Sequence, residues 1–221
     1  MTTTLHRPDD ELKAAVIEEL RWTPEVNSAH IGVSVNDGAV TLSGEVDSFP
    51  EKRLAGKVVE RVHGVTAIAQ EITVNSTWNG VTDTDIARGA GEAVERAVDV
   101  PDTVKVSVHD RIVTLTGSVR WHFQHEAADR AVHYLKGVKA VLNNVVIVPT
   151  ASPVDIKKGI TAALVRNAEV ESKHITVTTD NAGVVTLEGS VGSWSERRQA
   201  ERAAWAAPGV TGIVDHLRIS Y

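Results

Sequence analysis

The octapeptide Ala39-Val40-Thr41-Leu42-Ser43-Gly44-Glu45-Val46 returns as Ile112-Val113-Thr114-Leu115-Thr116-Gly117-Ser118-Val119, and again as Val184-Val185-Thr186-Leu187-Glu188-Gly189-Ser190-Val191. The copies are offset by 73 and 72 residues, and in each a second glycine follows the first by 20, at Gly64, Gly137 and Gly209. Self-similarity at a fixed period outranks chain length as a guide to domain count, so the 221 residues read as one small unit written three times. The units are placed at 8–75, 82–149 and 153–220. Units of about 70 residues bury only about 60% of their unfolded surface, so each is expected to lean on its neighbours.

The repeated phrase alternates as a half-buried strand does: Val40, Leu42, Gly44 and Val46 share one face, and Thr41, Ser43 and Glu45 the other. Gly44, Gly117 and Gly189 therefore fall on the apolar face in every copy. A glycine there costs strand propensity, which predicts a close backbone neighbour; the reading assigns that neighbour to a helix crossing the sheet.

Around the phrase each unit carries the same series of elements. It opens with an apolar stripe at i, i+4, i+8, namely Leu12, Val16, Leu20; Ile86, Ala90, Val94; and Ile156, Ile160, Leu164, with acids near each start. An alternating strand follows (Ile31-Val33-Val35, Val104-Val106-Val108, Ile175-Val177-Thr179), joined to the phrase by a tight turn. A second helix is expected over Pro50 to Val62, Gln124 to Leu135 and Glu196 to Ala207, closed by the second glycine as a C-cap. A last strand carries a polar residue at one inward position in every copy, Gln70, Asn143 or Asp215, which needs a hydrogen-bond partner if buried. The fold class is therefore α+β: three tandem αββαβ units, each a three-stranded mixed sheet with two helices on one face.

Composition narrows the function. A chain without cysteine has no disulfide, thiolate metal site or cysteine nucleophile. Most of the net charge of −6 arises in the first unit, where residues 1–75 hold 12 acids and 7 bases, and no basic footprint for nucleic acid is present. The first ten residues lack the basic start and apolar run of a signal peptide, and the chain contains no apolar run of about 18 residues, so a cytoplasmic location is expected. No G-x-S-x-G elbow, H-E-x-x-H or P-loop occurs, which points away from an enzyme.

Taken together, Asp37-Gly38-Ala39-Val40-Thr41-Leu42-Ser43-Gly44-Glu45-Val46, the Gly64-Val65, Gly137-Val138 and Gly209-Val210 steps, Asn143 in the last strand and the alanine-rich second helix resemble the BON domain (bacterial OsmY and nodulation domain), in triplicate. Copy two departs from the pattern with Asp110-Arg111 at the hairpin glycine, and Gln70 and Asp215 replace the asparagine. The resemblance implies a non-enzymatic module, often of cell-envelope or osmotic-stress proteins, linked to phospholipid surfaces and to holding other proteins.

Two groups of side chains are candidates for contact with other molecules. His125, Asp129 and His133 are spaced to share a helical face and to hold a divalent metal; their counterparts Lys52, Gly56, Glu60 and Arg197, Glu201, Trp205 are those of a tolerant solvent face. Phe49, Trp121, Phe123 and Trp194 gather where the glycine strand meets the second helix, a position suited to an interface apolar on one side and wet on the other, or to sealing the units together. The leading expectation is a stress-associated adaptor, without cofactor, engaging an anionic phospholipid surface or client proteins. The alternatives are a small-solute or ion-binding sensor and a self-associating structural protein.

Overall fold

The computed structural model describes residues 8–75, 80–148, 151–166 and 175–219, with the side chain of Trp194 outside the description. The elements of the first repeat are α1 (Asp9–Arg21), β1 (Ile31–Asn36), β2 (Ala39–Val46), α2 (Phe49–Val59) and β3 (Ala67–Val74). The second has α3 (Asp83–Arg96), β4 (Lys105–His109), β5 (Ile112–Val119), α4 (His122–Val132) and β6 (Ala140–Ile147). In the third are α5 (Pro153–Arg166), β7 (Ile175–Thr179), β8 (Val184–Val191), α6 (Trp194–Trp205) and β9 (Gly212–Ile219). Three sheets result, ordered β1-β2-β3, β4-β5-β6 and β7-β8-β9, so the repeated phrase is the central strand each time. In the first and third repeats it pairs antiparallel with the strand before it and parallel with the strand after it.

By packing, the chain divides into two compact bodies: Met1–Gly89 with Val108–Val113 and His133–Val141, and Ala90–Ser107 with Thr114–Val132 and Leu142–Tyr221. The middle repeat contributes to both. In the first body Leu12, Val16 and Leu20 of α1 and Ala55, Val58 and Val59 of α2 pack on Val40, Leu42, Val46 and Ile72 of the sheet. The second body repeats this with Ile156, Ile160, Leu164, Ala200 and Ala204 against Val185, Leu187, Val191 and Leu217. Ile86, Ala90 and Val94, the same stripe in the middle repeat, are buried as well.

The hairpin turns are held differently in different copies. Asp9 at the start of α1 accepts from the amides of Asp37 (2.8 Å) and Gly38 (3.1 Å), and Asp83 at the start of α3 from those of Asp110 and Arg111 (both 2.9 Å). Where the third repeat has Pro153 instead of that aspartate, the turn's own Asp180 accepts from Ala182 (2.9 Å) and Val184 (2.8 Å). The turn amides are thus satisfied in all three copies, by two routes.

Two expectations change. The second helices end at Val59, Val132 and Trp205, before the second glycine; Gly64, Gly137 and Gly209 lie in the turns beyond, at φ of 100°, 84° and 79°. The phrase glycines are not covered by a helix: Gly44 and Gly189 are exposed and Gly117 half-buried. Their cause is the strand edge instead. All three have positive φ (114°, 123° and 130°), and a Cβ on Gly44 would lie 2.1 Å from the His30 carbonyl oxygen, one on Gly117 2.2 Å from that of Thr103. Both conformation and contact exclude a side chain. Gly117→Ala is expected to cost about 2–4 kcal/mol in chemical denaturation. Gly91→Ala, in α3 with open space at its Cβ, should instead stabilise by about 0.5–1 kcal/mol; equal effects at the two sites would refute the conformational explanation.

Candidate functional site

The recurring polar residue of the last strand is a tie to the second helix. Gln70 Nε2 donates to the carbonyl of Lys52, and Asn143 Nδ2 to that of His125 at 2.8 Å. Lys52, His125 and Arg197 are equivalent positions, and in the third repeat Arg197 Nε donates to Asp215 Oδ2 at 2.6 Å, replacing the carbonyl bond by an ion pair. Asp215 also accepts from the Leu217 amide at 2.7 Å. In all three copies the tie fixes how the helix lies on the sheet, so these polar groups serve architecture.

In the third repeat Glu201 adds a second carboxyl to this tie. Burial, followed by the hydrogen bond to Asp215 and its charge, holds the Glu201 carboxyl above its ordinary range. Burial also pushes Asp215 upward, but its hydrogen bonds to Glu201, the Leu217 amide and Arg197 outweigh that and hold it below. Glu201, being raised, contributes stability at low pH that is lost as pH climbs through its folded value; Asp215, being depressed, contributes stability at neutral pH that is lost as pH falls through its own. At neutral pH Glu201 is therefore a repulsive neighbour. Glu201→Gln keeps a donor for Asp215 and is expected to raise neutral-pH stability by up to about 1 kcal/mol, screened as a partly exposed pair is, or roughly 2 °C in midpoint. The variant should also flatten the melting profile between weakly acid and neutral pH. A lower midpoint at pH 7 would contradict this sign.

The starts of the second helices separate the aromatic candidates. Ser48 and Ser193 are N-caps, accepting from Glu51 (3.4 Å) and Glu196 (3.1 Å), and each glutamate reaches back to a preceding amide. Trp121 occupies the same place before α4, so the reciprocal half alone survives: Gln124 Oε1 accepts from Arg120 (3.1 Å) and Trp121 (3.2 Å). The indole of Trp121 lies 6.2 Å from the ring of Phe123, which is 47% exposed. Trp121 also lines an open depression with Pro101, Thr103, Arg120 and Val148.

Phe49 does not belong to that surface. It is 7% exposed, its ring 5.3 Å from that of His133, so it seals a junction and is unavailable to a partner. The same contact recurs at equivalent positions within the second body, where His122 stacks on Trp205 at 3.7 Å. Burial lowers the His122 imidazole, Glu126 opposing and His125 adding to the shift, which favours the neutral ring in the stack. Trp194 lies outside the described side chains.

The metal candidates separate too. α4 ends at Val132, which takes His133 off the helical face, and the His133 ring is engaged by Phe49, by Tyr134 at 5.1 Å and by Arg53 at 3.4 Å. His125 lies against His122, ring centres 6.0 Å apart. Among the described residues no group of three His, Asp or Glu side chains is placed to hold a metal ion. The basic lining formed by Arg111, Lys136 and Lys139 was missed in the sequence, and the anomalous Arg111 at a hairpin glycine position was its one signal.

Small αββαβ modules in tandem, their recurrent polar groups spent on ties and caps, define a class of repeat protein. The chain belongs to the BON domain family, which matches residues 8–76, 82–149 and 154–221. It is 29% identical over 140 residues to Osmotically-inducible protein Y of Escherichia coli (strain K12), a span of 61% of this chain and 68% of that protein. Among solved structures it is similar to CdsD, a structural protein of the Type III secretion system of Chlamydia trachomatis (13% identity, TM-score 0.27, 95% of this chain and 92% of that one). Another is the PrgH periplasmic domain (10% identity, TM-score 0.24, 87% and 96%). The chain is accordingly a non-enzymatic BON-domain protein related to an osmotic-stress protein.

The expected cytoplasmic location is corrected. One of the solved structures reported above is named a periplasmic domain, and neither the first ten residues nor the lack of a helix long and apolar enough to cross a membrane among the described residues decides the compartment.

Proposed function

We propose that the chain engages an anionic phospholipid surface through the start of α4, in a setting of osmotic stress. BON domains associate with phospholipid surfaces or client proteins. The observation that carries the reading is Trp121: it stands where the other two copies place a capping serine, a replacement that forfeits about 1 kcal/mol of cap, its ring lies beside the exposed Phe123, and Arg120 lines the same depression. An amphipathic indole, an exposed phenyl and a guanidinium at a helix start are the groups that seat at a headgroup boundary, with the cation favouring anionic lipid.

A second observation favours a client protein. Leu142, Val146 and Val148 are 50%, 61% and 45% exposed along β6 and just beyond it, and Val148 borders the Trp121 depression. Thr73 and Arg218 hold the place of Val146 in the other copies.

Flotation with vesicles containing or lacking phosphatidylglycerol tests the lipid reading. The native chain is expected to float with the anionic vesicles, and Trp121→Ala with Phe123→Ala to lose at least about tenfold in the floated fraction, two partly buried aromatic anchors being worth over about 1.4 kcal/mol. Equal flotation of native and doubly substituted chains would overturn it; loss of flotation by Val146→Thr alone would move the contact to the β6 face.

A further inference from the structure

Within the second compact body the middle and third repeats meet at a titratable contact. His122, the first residue of α4, stacks on Trp205, the last of α6, with ring centres 3.7 Å apart and planes 20° from parallel. Near it the Gly209 amide donates to the Arg120 carbonyl at 3.2 Å, a second bond from the third repeat to the middle one. The equivalent contact of the first body has Phe49 in the place of His122, a ring that carries no proton. An imidazole at this position brings a group that changes charge in the physiological range to the seam between two repeats.

The surroundings decide which form of the ring the stack accepts. A groove of about 530 Å³ runs past both rings, lined further by His125, Val145 to Ile147, Ala182 and Thr211, and the His122 side chain is 23% exposed, so solvent protons reach it. β6 and the turns of the third repeat bring no charge to that lining. On α6, Glu201 and Arg202 are engaged by Asp215 and Gln199, and Arg120 lines the separate depression beside Trp121. The charges that act on His122 lie on α4: Glu126, 3.7 Å from Nε2, and His125, whose ring is nearly parallel at 6.0 Å. Burial disfavours the imidazolium most, Glu126 offsets part of that and a charge on His125 adds to it, which holds the His122 imidazole below the ordinary histidine range. A group so held contributes stability that is complete above its unfolded value and is lost as pH falls through the folded one.

We infer that this contact is a proton-operated catch between repeats: a neutral His122 holds the third repeat against the middle one, and uptake of a proton releases it with its own fold intact. The tie inside the third repeat moves in the opposite sense, since Glu201 contributes its stability at low pH. Acid therefore loosens the seam without unfolding the repeat. The catch does not depend on the lipid contact proposed for Trp121.

Hydrogen exchange of the full chain tests this at the Gly209 amide, corrected for the intrinsic dependence of exchange on pH. Between about pH 7.5 and about pH 5.5 its protection is expected to fall at least about threefold, in step with titration of the His122 ring resonance, while the amides of β8 keep theirs. His122→Phe installs the ring of the first body and is expected to hold Gly209 protection constant over that range. The ring titration and the Gly209 protection are both read in the native chain, so the outcome does not rest on how the variant folds. Gly209 protection that stays level in the native chain, or that rises in acid as an imidazolium attracted to an indole face would make it, overturns the inference. So does a fall shared by β8 or by the His122→Phe chain, or one out of step with the His122 titration.

Discussion

Every repeat depends on a central strand that must be bonded on both edges. The antiparallel edge needs only a tight turn, but the parallel edge forces the chain to cross over the sheet before it can pair again. The second helix is that crossover, and because it leaves and re-enters on one face, it buries the same side as the first helix. Val40, Leu42 and Val46, with Val185, Leu187 and Val191 in the third copy, are buried because both helices meet over them. The polar tie from the last strand then limits how far the helix can slide. Gln70, Asn143 and Asp215 differ in chemistry yet reach one helical position, which is what a geometric requirement looks like when the side chain is free to vary.

A module of this size has little apolar surface to spend, and the junction contacts show where more is found. Phe49 on His133 and His122 on Trp205 join the first residue of one second helix to the turn or last residue of the next repeat's. The positions correspond while the rings do not. An exchange of Phe and His at the first member, and of His and Trp at the second, keeps flat, stackable surfaces on both sides. Each contact is internal to one of the two compact bodies, and the middle repeat supplies one partner to each.

Much of this was legible in the sequence because it was written three times. The helical stripes, the hairpins, the central phrase and the polar position in the last strand are local patterns, and three copies separate a requirement from an accident. The reason for the phrase glycine was not legible: alternation assigns a face but says nothing of φ, and the crowding atoms are the carbonyls of His30 and Thr103, outside the phrase. Nor was the burial of Phe49, whose cover is a residue of the next repeat. Trp121 as a lost cap could have been read by setting it beside Ser48 and Ser193. The lining of Arg111, Lys136 and Lys139 could not, since two segments far from Phe49 in sequence must first fold against it.

The departures that matter gather in one copy. Trp121 in place of a capping serine, Arg111 at a left-handed turn position and the exposed Val146 where the siblings have Thr73 and Arg218 each cost local stability or solubility, and all three belong to the middle repeat. The flanking repeats keep the serine caps and the turn glycines, and their helix–sheet cores follow one plan. Triplication makes such a division possible: once the central repeat is supported at both of its junctions, its cap and turn no longer need to be optimal, and those positions can take other residues. Sites in such an array are therefore best sought by asking which copy breaks its siblings' rules at positions where the rules concern stability.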